Sequence, residues 1–311
     1  MRRFRLALIG VLLGGSIPQI AMARCDVSLD APGQVRFQGG GGTGYEAFDA
    51  SRHETEFVLT VSNSGTAVCN GLISLQRAVS TTIGLAGPAG QTLAYVVAPP
   101  GSLSTIVDNQ FDAGRPPNAI AVTVPPGESR IQRLSLTVAP QQVVPSGDYG
   151  DTVLVRLIDS SDLELSAERS LQLTSNVRST MSILLFASSF SGSSTAGTRN
   201  YRMDFGALQA GEQSSVTVLV QANDEYALRF SSANRGAMTH STLGSSQSIP
   251  YTATIGGREL NLSTGETIFS VASSTSLSGA SQQLNVRIGE VGPARAGNYQ
   301  DELTITVLPT G

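Results

Sequence analysis

The stretch "RLSLTVAPQQVVPSGDYGDTVLVRL" occupies residues 133–157, and "QLNVRIGEVGPARAGNYQDELTITV" occupies residues 283–307. Laid over one another at a constant offset of 150 (283 − 133), they need no gap. Leu134, Leu136 and Val138 fall on Leu284, Val286 and Ile288, and Gly147, Tyr149 and Asp151 fall on Gly297, Tyr299 and Asp301. Val153, Val155 and Leu157 fall on Leu303, Ile305 and Val307. Apolar residues recur at every second position on both sides of G-x-Y-x-D, the period that turns one face of a strand to a core and the other to water. Two strands and the turn between them therefore recur in register, and the chain reads as two copies of one β-domain.

Each Tyr of G-x-Y-x-D stands where a corner tyrosine stands in an immunoglobulin-like sandwich, at the start of the penultimate strand. The expected fold class is all-β, with two such sandwiches covering residues 24–176 and 177–311. The copies differ after this shared strand. Beyond Leu157 the first runs through "DSSD" into "LELSAERSLQLTSNV", with room for one more strand around Leu171 and Leu173. Beyond Val307 the second has only Leu308, Pro309, Thr310 and Gly311, so it is expected to lack its last strand. Such a sheet would expose unpaired backbone groups and an apolar groove lined by Leu303, Ile305 and Val307. A strand added from another chain repairs both defects. The alternative is that an earlier segment, "STMSILLFASSF" (residues 179–190), folds back to fill the gap.

Residues 1–23 read as a secretory signal peptide: Arg2, Arg3 and Arg5 precede the apolar run "LALIGVLLGGSIPQIAM", and Ala21-Met22-Ala23 is an A-x-A cleavage site. A lipoprotein would want a small residue before Cys25, where Arg24 stands. No later stretch is long and apolar enough to span a bilayer. With 33 Gly, 5% aromatics, no Trp and 14% charged residues, the composition suits short strands and turns rather than helices. A net charge of −4 without a basic patch argues against a nucleic-acid partner. The two cysteines, Cys25 and Cys69, make a disulfide the default in an exported chain. It would close a loop of 69 − 25 = 44 residues, for which chain entropy sets an upper figure of about 4 kcal/mol. The alternative is a metal site from two thiols and two scattered histidines.

"MDFGALQAGEQSSVTVLVQANDEYALRFSSANRGAMTH" (residues 203–240), "IPYTATIGG" (249–257) and the terminal "AGNYQDELTITV" resemble the spore coat protein U domain, shared by pilins of archaic chaperone-usher pili of the Csu type. The resemblance covers nearly all of residues 203–307, with F-G-x-L, the block from Asn223 to Asn234, I-P-Y and G-x-Y-x-D in order. It implies an incomplete immunoglobulin-like sandwich. A periplasmic pilus chaperone first lends the missing strand, an outer-membrane usher assembles the subunits, and the N-terminal donor strand of an adjacent pilin takes the chaperone's place. Little chain precedes Cys25 to donate in turn, so the resemblance implies a two-domain tip adhesin, exported through the periplasm to the cell surface. A coat-type or minor pilus subunit that polymerises without a ligand is the other reading. The first copy departs from the family pattern, having no clear F-G-x-L or I-P-Y block.

Tip subunits of this type are similar in gripping hydrophobic abiotic surfaces with apolar loops during biofilm formation. The candidate loops are "TTIGLAGPAG" (81–90), "YVVAPPGSLSTIV" (95–107) and "APQQVVPSGDY" (139–149), with Ile83, Leu85, Val96, Val97, Val143 and Val144 as candidate contacts. Val96, Val97 and Ile106 read equally well as core strand residues. Val143 and Val144 are favoured, because the aligned "EVGPA" of the second copy is less apolar. For a sugar on a host surface, Tyr45, Phe48 and His53 are the only hint.

Signals for catalysis are thin, and no enzyme, cofactor or metal is expected. "GGGGTG" (39–44) has the G-x-G-x-x-G spacing without the strand-turn-helix setting that phosphate binding needs, and Tyr45 stands where a P-loop wants Lys. "HETE" (53–56) has no second His for a zinc pair, and His53 and His240 fall in different copies. Asp151 and Asp301 each follow a corner Tyr, where stabilising a turn by hydrogen bonding suits them better than catalysis.

Overall fold

The computed structural model describes residues 24–78, 84–108, 116–187, 199–271 and 273–310. The expected signal peptide and the candidate contact Ile83 lie outside them. The first copy contains β1 (Val27–Asp30), β2 (Gln34–Phe37), β3 (Glu54–Asn63), β4 (Cys69–Arg77), β5 (Leu85–Ala86), β6 (Thr92–Leu93), β7 (Tyr95–Ala98), β8 (Val107–Asp108), β9 (Ile120–Val124), β10 (Ser129–Val138), β11 (Gly147–Asp159) and β12 (Leu165–Val177). The second contains β13 (Met181–Ala187), β14 (Gln213–Ala222), β15 (Tyr226–Ser232), β16 (Ala237–His240), β17 (Gly244–Ile255), β18 (Arg258–Glu259), β19 (Glu266–Val271), β20 (Ala280–Ile288), β21 (Tyr299–Gln300) and β22 (Leu303–Pro309). The only helical pieces among the described residues are two 3₁₀ turns, Pro88–Gly90 and Leu262–Thr264. Neither of them is long and apolar enough to cross a membrane.

In the first copy one sheet runs β1-β3-β10-β7 and the other β2-β12-β11-β4-β8, with β9 also on β4. A single core takes side chains from both sheets: Leu59, Val97, Leu134 and Leu136 from one, Leu75, Val153, Val155, Leu171 and Leu173 from the other. Alternation in the sequence marks Leu134, Leu136, Val153, Val155, Leu171 and Leu173 as inward-facing, whereas Val97 was expected as a surface contact. The second copy repeats the plan as β13-β14-β20-β17-β16-β21 opposite β19-β15-β22, around a separate core that includes Val218, Leu228, Phe230, Ala253 and Ile255. Val177, expected at the head of the second domain, is the last buried side chain of the first core.

Cys25 and Cys69 are joined, closing a loop of 44 residues and fastening the start of β1 to the start of β4. In each copy the corner tyrosine bonds four residues back: Tyr149 Oη donates to Pro145 O (2.9 Å) and Tyr299 Oη to Arg295 O (2.8 Å). Glycine opens both motifs for want of space. A Cβ at Gly297 would stand 2.0 Å from His240 Nε2, and one at Gly147 would stand 2.8 Å from the Pro88 ring.

Candidate functional site

β11 and β22 occupy equivalent positions, each the strand that continues from G-x-Y-x-D, but their neighbours differ. β11 lies between β4 and β12. β22 pairs along its whole length with β15, from Leu303↔Ser232 to Pro309↔Tyr226. Among the described residues no strand pairs with its other edge. Burial follows the pairing. Val153, Val155 and Leu157 of β11 are at most 1% exposed, while Leu303, Ile305 and Val307 are only half-buried. The same contrast separates Tyr149, which is buried, from Tyr299, which is half-buried.

A cleft of about 810 Å³ runs along this edge. Leu303 and Ile305 form one wall, Met203 and Phe205 another, and Val216 and Val286 lie among its other lining residues. Val307 lies beyond the cleft and packs against the second core. The segment 179–190 does not fill the gap in its described part. Residues 181–187 form β13, which pairs antiparallel with β14 at the edge of the opposite sheet (Met181↔Ala222 to Ala187↔Val216).

Asp151 bonds across strands, whereas Asp301 also holds the turn that follows β15 through Asn234. Asp301 accepts from Ser232 Oγ (2.6 Å), Tyr251 Oη (2.6 Å), Asn234 N (2.9 Å) and Asn234 Nδ2 (2.9 Å), at the end of the cleft. Asp151 accepts from Tyr95 Oη (2.7 Å) and from Arg77 Nε (2.7 Å), whose side chain is 2% exposed. Arg77 and Ser232 are equivalent, since Val153 pairs with Arg77 and Leu303 with Ser232. One copy thus neutralises its corner carboxylate with a buried cation, the other with neutral donors. Burial, reinforced by the adjacent carboxylate, pushes the hydroxyls of Tyr95 and Tyr251 well above the ordinary tyrosine range.

The apolar loops call for correction. Leu85 and Val97 are fully buried, because β5 pairs with β6 and β7 pairs with β10, turning both side chains into the first core. Val96 is half-buried on β7, and the exposed apolar residue of that loop is Leu103 (67%). Val143 and Val144 are half-buried at the seam between the copies. There Asn223, fully buried, donates from Nδ2 to Val144 O (3.1 Å) and Arg178 O (2.8 Å), while its Oδ1 accepts from Thr180 N (2.7 Å). Ser146 N donates to Asp224 Oδ1 beside it (2.7 Å). β11 leaves this seam and runs 13 residues, about 40 Å at the rise of a strand. At its far end stand exposed Val68 (53%), Leu163 (40%) and Leu165 (56%). Leu163 holds φ +62°, a left-handed conformation that costs a bulky residue about 1 kcal/mol. Sequence reading missed these: Val68 lies between Ala67 and Cys69, and Leu163 and Leu165 alternate with Glu164 as inward-facing strand residues would.

The sugar-site hint fares no better. The Tyr45 ring is buried and its hydroxyl is spent on Ala139 O (3.0 Å) and Gln142 N (2.6 Å), while Phe48 packs on the first core. His53 pairs with Asp49 (3.0 Å) rather than with a carboxylate of HETE. The Ser51 amide and His53 hold the Asp49 carboxyl below its ordinary range. Among the described residues no group of three or more His, Cys, Asp or Glu is placed to hold a metal ion.

No protein-family model matches the chain, and no curated protein matches it. Among solved structures, the tip subunit CsuE, in complex with the chaperone CsuC, from archaic chaperone-usher Csu pili of Acinetobacter baumannii is similar at 14% identity, covering 90% of this chain and 99% of that one, with a TM-score of 0.39. The CupB6 tip adhesin of Pseudomonas aeruginosa is similar at 10% identity, covering 91% and 94%, with a TM-score of 0.40. CfaE, the adhesive subunit of the CFA/I fimbria of enterotoxigenic Escherichia coli, is similar at 13% identity, covering 92% and 82%, with a TM-score of 0.33.

Proposed function

We propose that this protein is a non-enzymatic adhesin of a chaperone-usher pilus, exported to the cell surface, whose second domain is completed by a strand from another subunit. The observation that carries the reading is the difference between two equivalent strands of one chain: β11 is covered by β12, and among the described residues no strand covers the outer edge of β22 above half-exposed Leu303 and Ile305. Open edges and apolar grooves are normally blunted or covered in free-standing proteins. An added strand supplies backbone hydrogen bonds and buries the alternate side chains at the same time. On this reading a pilus chaperone occupies the cleft first, and a neighbouring subunit's N-terminal segment occupies it after passage through the usher.

Attachment belongs to the first domain. Val68, Leu163 and Leu165, at the end remote from the seam, form the contact with a nonpolar abiotic or host surface in biofilm formation. That patch favours the adhesin over a subunit that only polymerises.

The test is co-expression of the mature chain with a periplasmic pilus chaperone, followed by co-purification. Ile305→Asp places a charge in the cleft and is expected to abolish the complex, whereas Ile131→Asp, at a residue 65% exposed on the first domain, leaves it intact. Equal recovery of both variants would sink the proposal.

A further inference from the structure

The first domain carries, as its own β12, an occupant of the position that no described strand fills in the second. We infer that the open cleft selects an extended segment with the inward pattern of β12: two large aliphatic residues, then a small one, then a β-branched one. This rests on the strand-accepting reading of the second domain. The segment runs antiparallel to β22 and parallel to residues 202–205.

The pairing in the first domain fixes the register. On β11, Val153 faces Leu171, Asp151 faces Leu173, Tyr149 faces Ser175 and Gly147 faces Val177. All four β12 residues are at most 2% exposed. Carried across at the offset of 150 (303 − 153), the corresponding positions face Leu303, Asp301, Tyr299 and Gly297.

The second wall transfers as well. β2 lies parallel to β12, from Gln34↔Gln172 to Phe37↔Ser175, with Val35 and Phe37 buried between exposed Gln34 and Arg36. In the second domain Met203 and Phe205 have the same spacing, are half-buried, and alternate with exposed Arg202 and Asp204. Both line the cleft together with Leu303.

The small position follows from the tyrosine. Residues directly opposite on antiparallel strands share a face about 5 Å apart, and the buried Tyr149 has the small Ser175 opposite it. The Tyr299 ring is fixed in the same way, by its bond to Arg295 O (2.8 Å) and by edge-on packing with His240 (5.1 Å between centroids). The position facing Asp301 takes an aliphatic residue, because Ser232, Asn234 and Tyr251 already bond that carboxylate.

The probe is a fluorescein-labelled peptide with the sequence of residues 165–177, titrated by anisotropy into the mature full-length chain. Companion peptides carry Ser175→Leu, carry Leu173→Ser, or shuffle the same residues. The parent peptide is expected to bind and to slow amide exchange at residues 303–307. Ser175→Leu is expected to weaken binding about tenfold through overpacking, and Tyr299→Ala in the chain to restore it. The peptide series needs no variant of the chain, so it decides even where Tyr299→Ala fails to fold. Equal binding of parent and Ser175→Leu peptides overturns the pattern and leaves the strand-accepting reading standing. Binding of a pilus chaperone without any peptide binding has the same meaning. Failure of chaperone and peptides alike overturns both.

Discussion

The same substitution at two equivalent aspartates should cost different amounts, and the structure says which costs more. Asp151→Asn removes the only carboxylate bonded to Arg77 among the described residues, where the Arg77 side chain is 2% exposed, and turns an amide N–H₂ toward the donors Arg77 Nε and Tyr95 Oη. Removing one partner of a buried ion pair costs about 3–5 kcal/mol, because the remaining charge stays desolvated. Asp301→Asn, by contrast, disturbs neutral donors around a half-buried carboxylate and strands no cation. The loss of charge-assisted hydrogen bonds there comes to about 2 kcal/mol. Calorimetry of the mature chain should resolve the two domains, with Asp151→Asn lowering the first domain's transition by about 10 °C and Asp301→Asn lowering the second's by about half as much. The double variant Arg77→Met/Asp151→Leu should recover most of the loss, since apolar replacement of a buried pair is close to neutral. A shift for Asp151→Asn no larger than for Asp301→Asn would refute the argument that the buried guanidinium makes the difference.

Three further outcomes are expected. Tyr95 keeps its proton in the fold to well above the ordinary value of 10.0, chiefly through desolvation and next through Asp151. Its contribution is therefore complete below about pH 10 and is lost as the pH rises beyond that, at up to about 1.4 kcal/mol per pH unit. Tyr95→Phe should flatten the slope of alkaline denaturation of the first domain, and an unchanged slope would count against the linkage. Asn223→Ala leaves Val144 O, Arg178 O and Thr180 N without their shared partner. It should cost about 2 kcal/mol and broaden the distribution of domain orientations in small-angle scattering, whereas an unaltered profile would show that other contacts hold the seam. Leu163→Gly relieves the left-handed residue and should stabilise the first domain by about 1 kcal/mol. It should also weaken attachment to polystyrene beads, and undiminished attachment would remove Leu163 from the contact.

The sequence by itself determined the β-class and the constant offset that relates residues 133–157 to residues 283–307. Period-two alternation and a fixed offset are properties of the strand backbone, and they survive whatever the strands pack against. The alternation of Leu303, Ile305 and Val307 was legible for the same reason, but not that Val307 lies beyond the cleft. Only the tertiary structure decided which loops face outward. "YVVA" and "LA" are apolar runs whose composition fits an exposed tip or a core equally well, and sheet pairing buried Leu85 and Val97. Val143 and Val144 lie at the seam because Asn223, some 80 residues away in the chain, supplies the bond that draws their loop against the second domain. The exposed Val68, Leu163 and Leu165 share one end of the molecule only because β4, β11 and β12 meet there. Leu163 and Leu165 carry the period of an inward strand face, and nothing in a linear pattern turns them outward or brings Val68 to the same end. Tertiary pairing does that, and it also gave Asp151 an arginine where Asp301 has a serine.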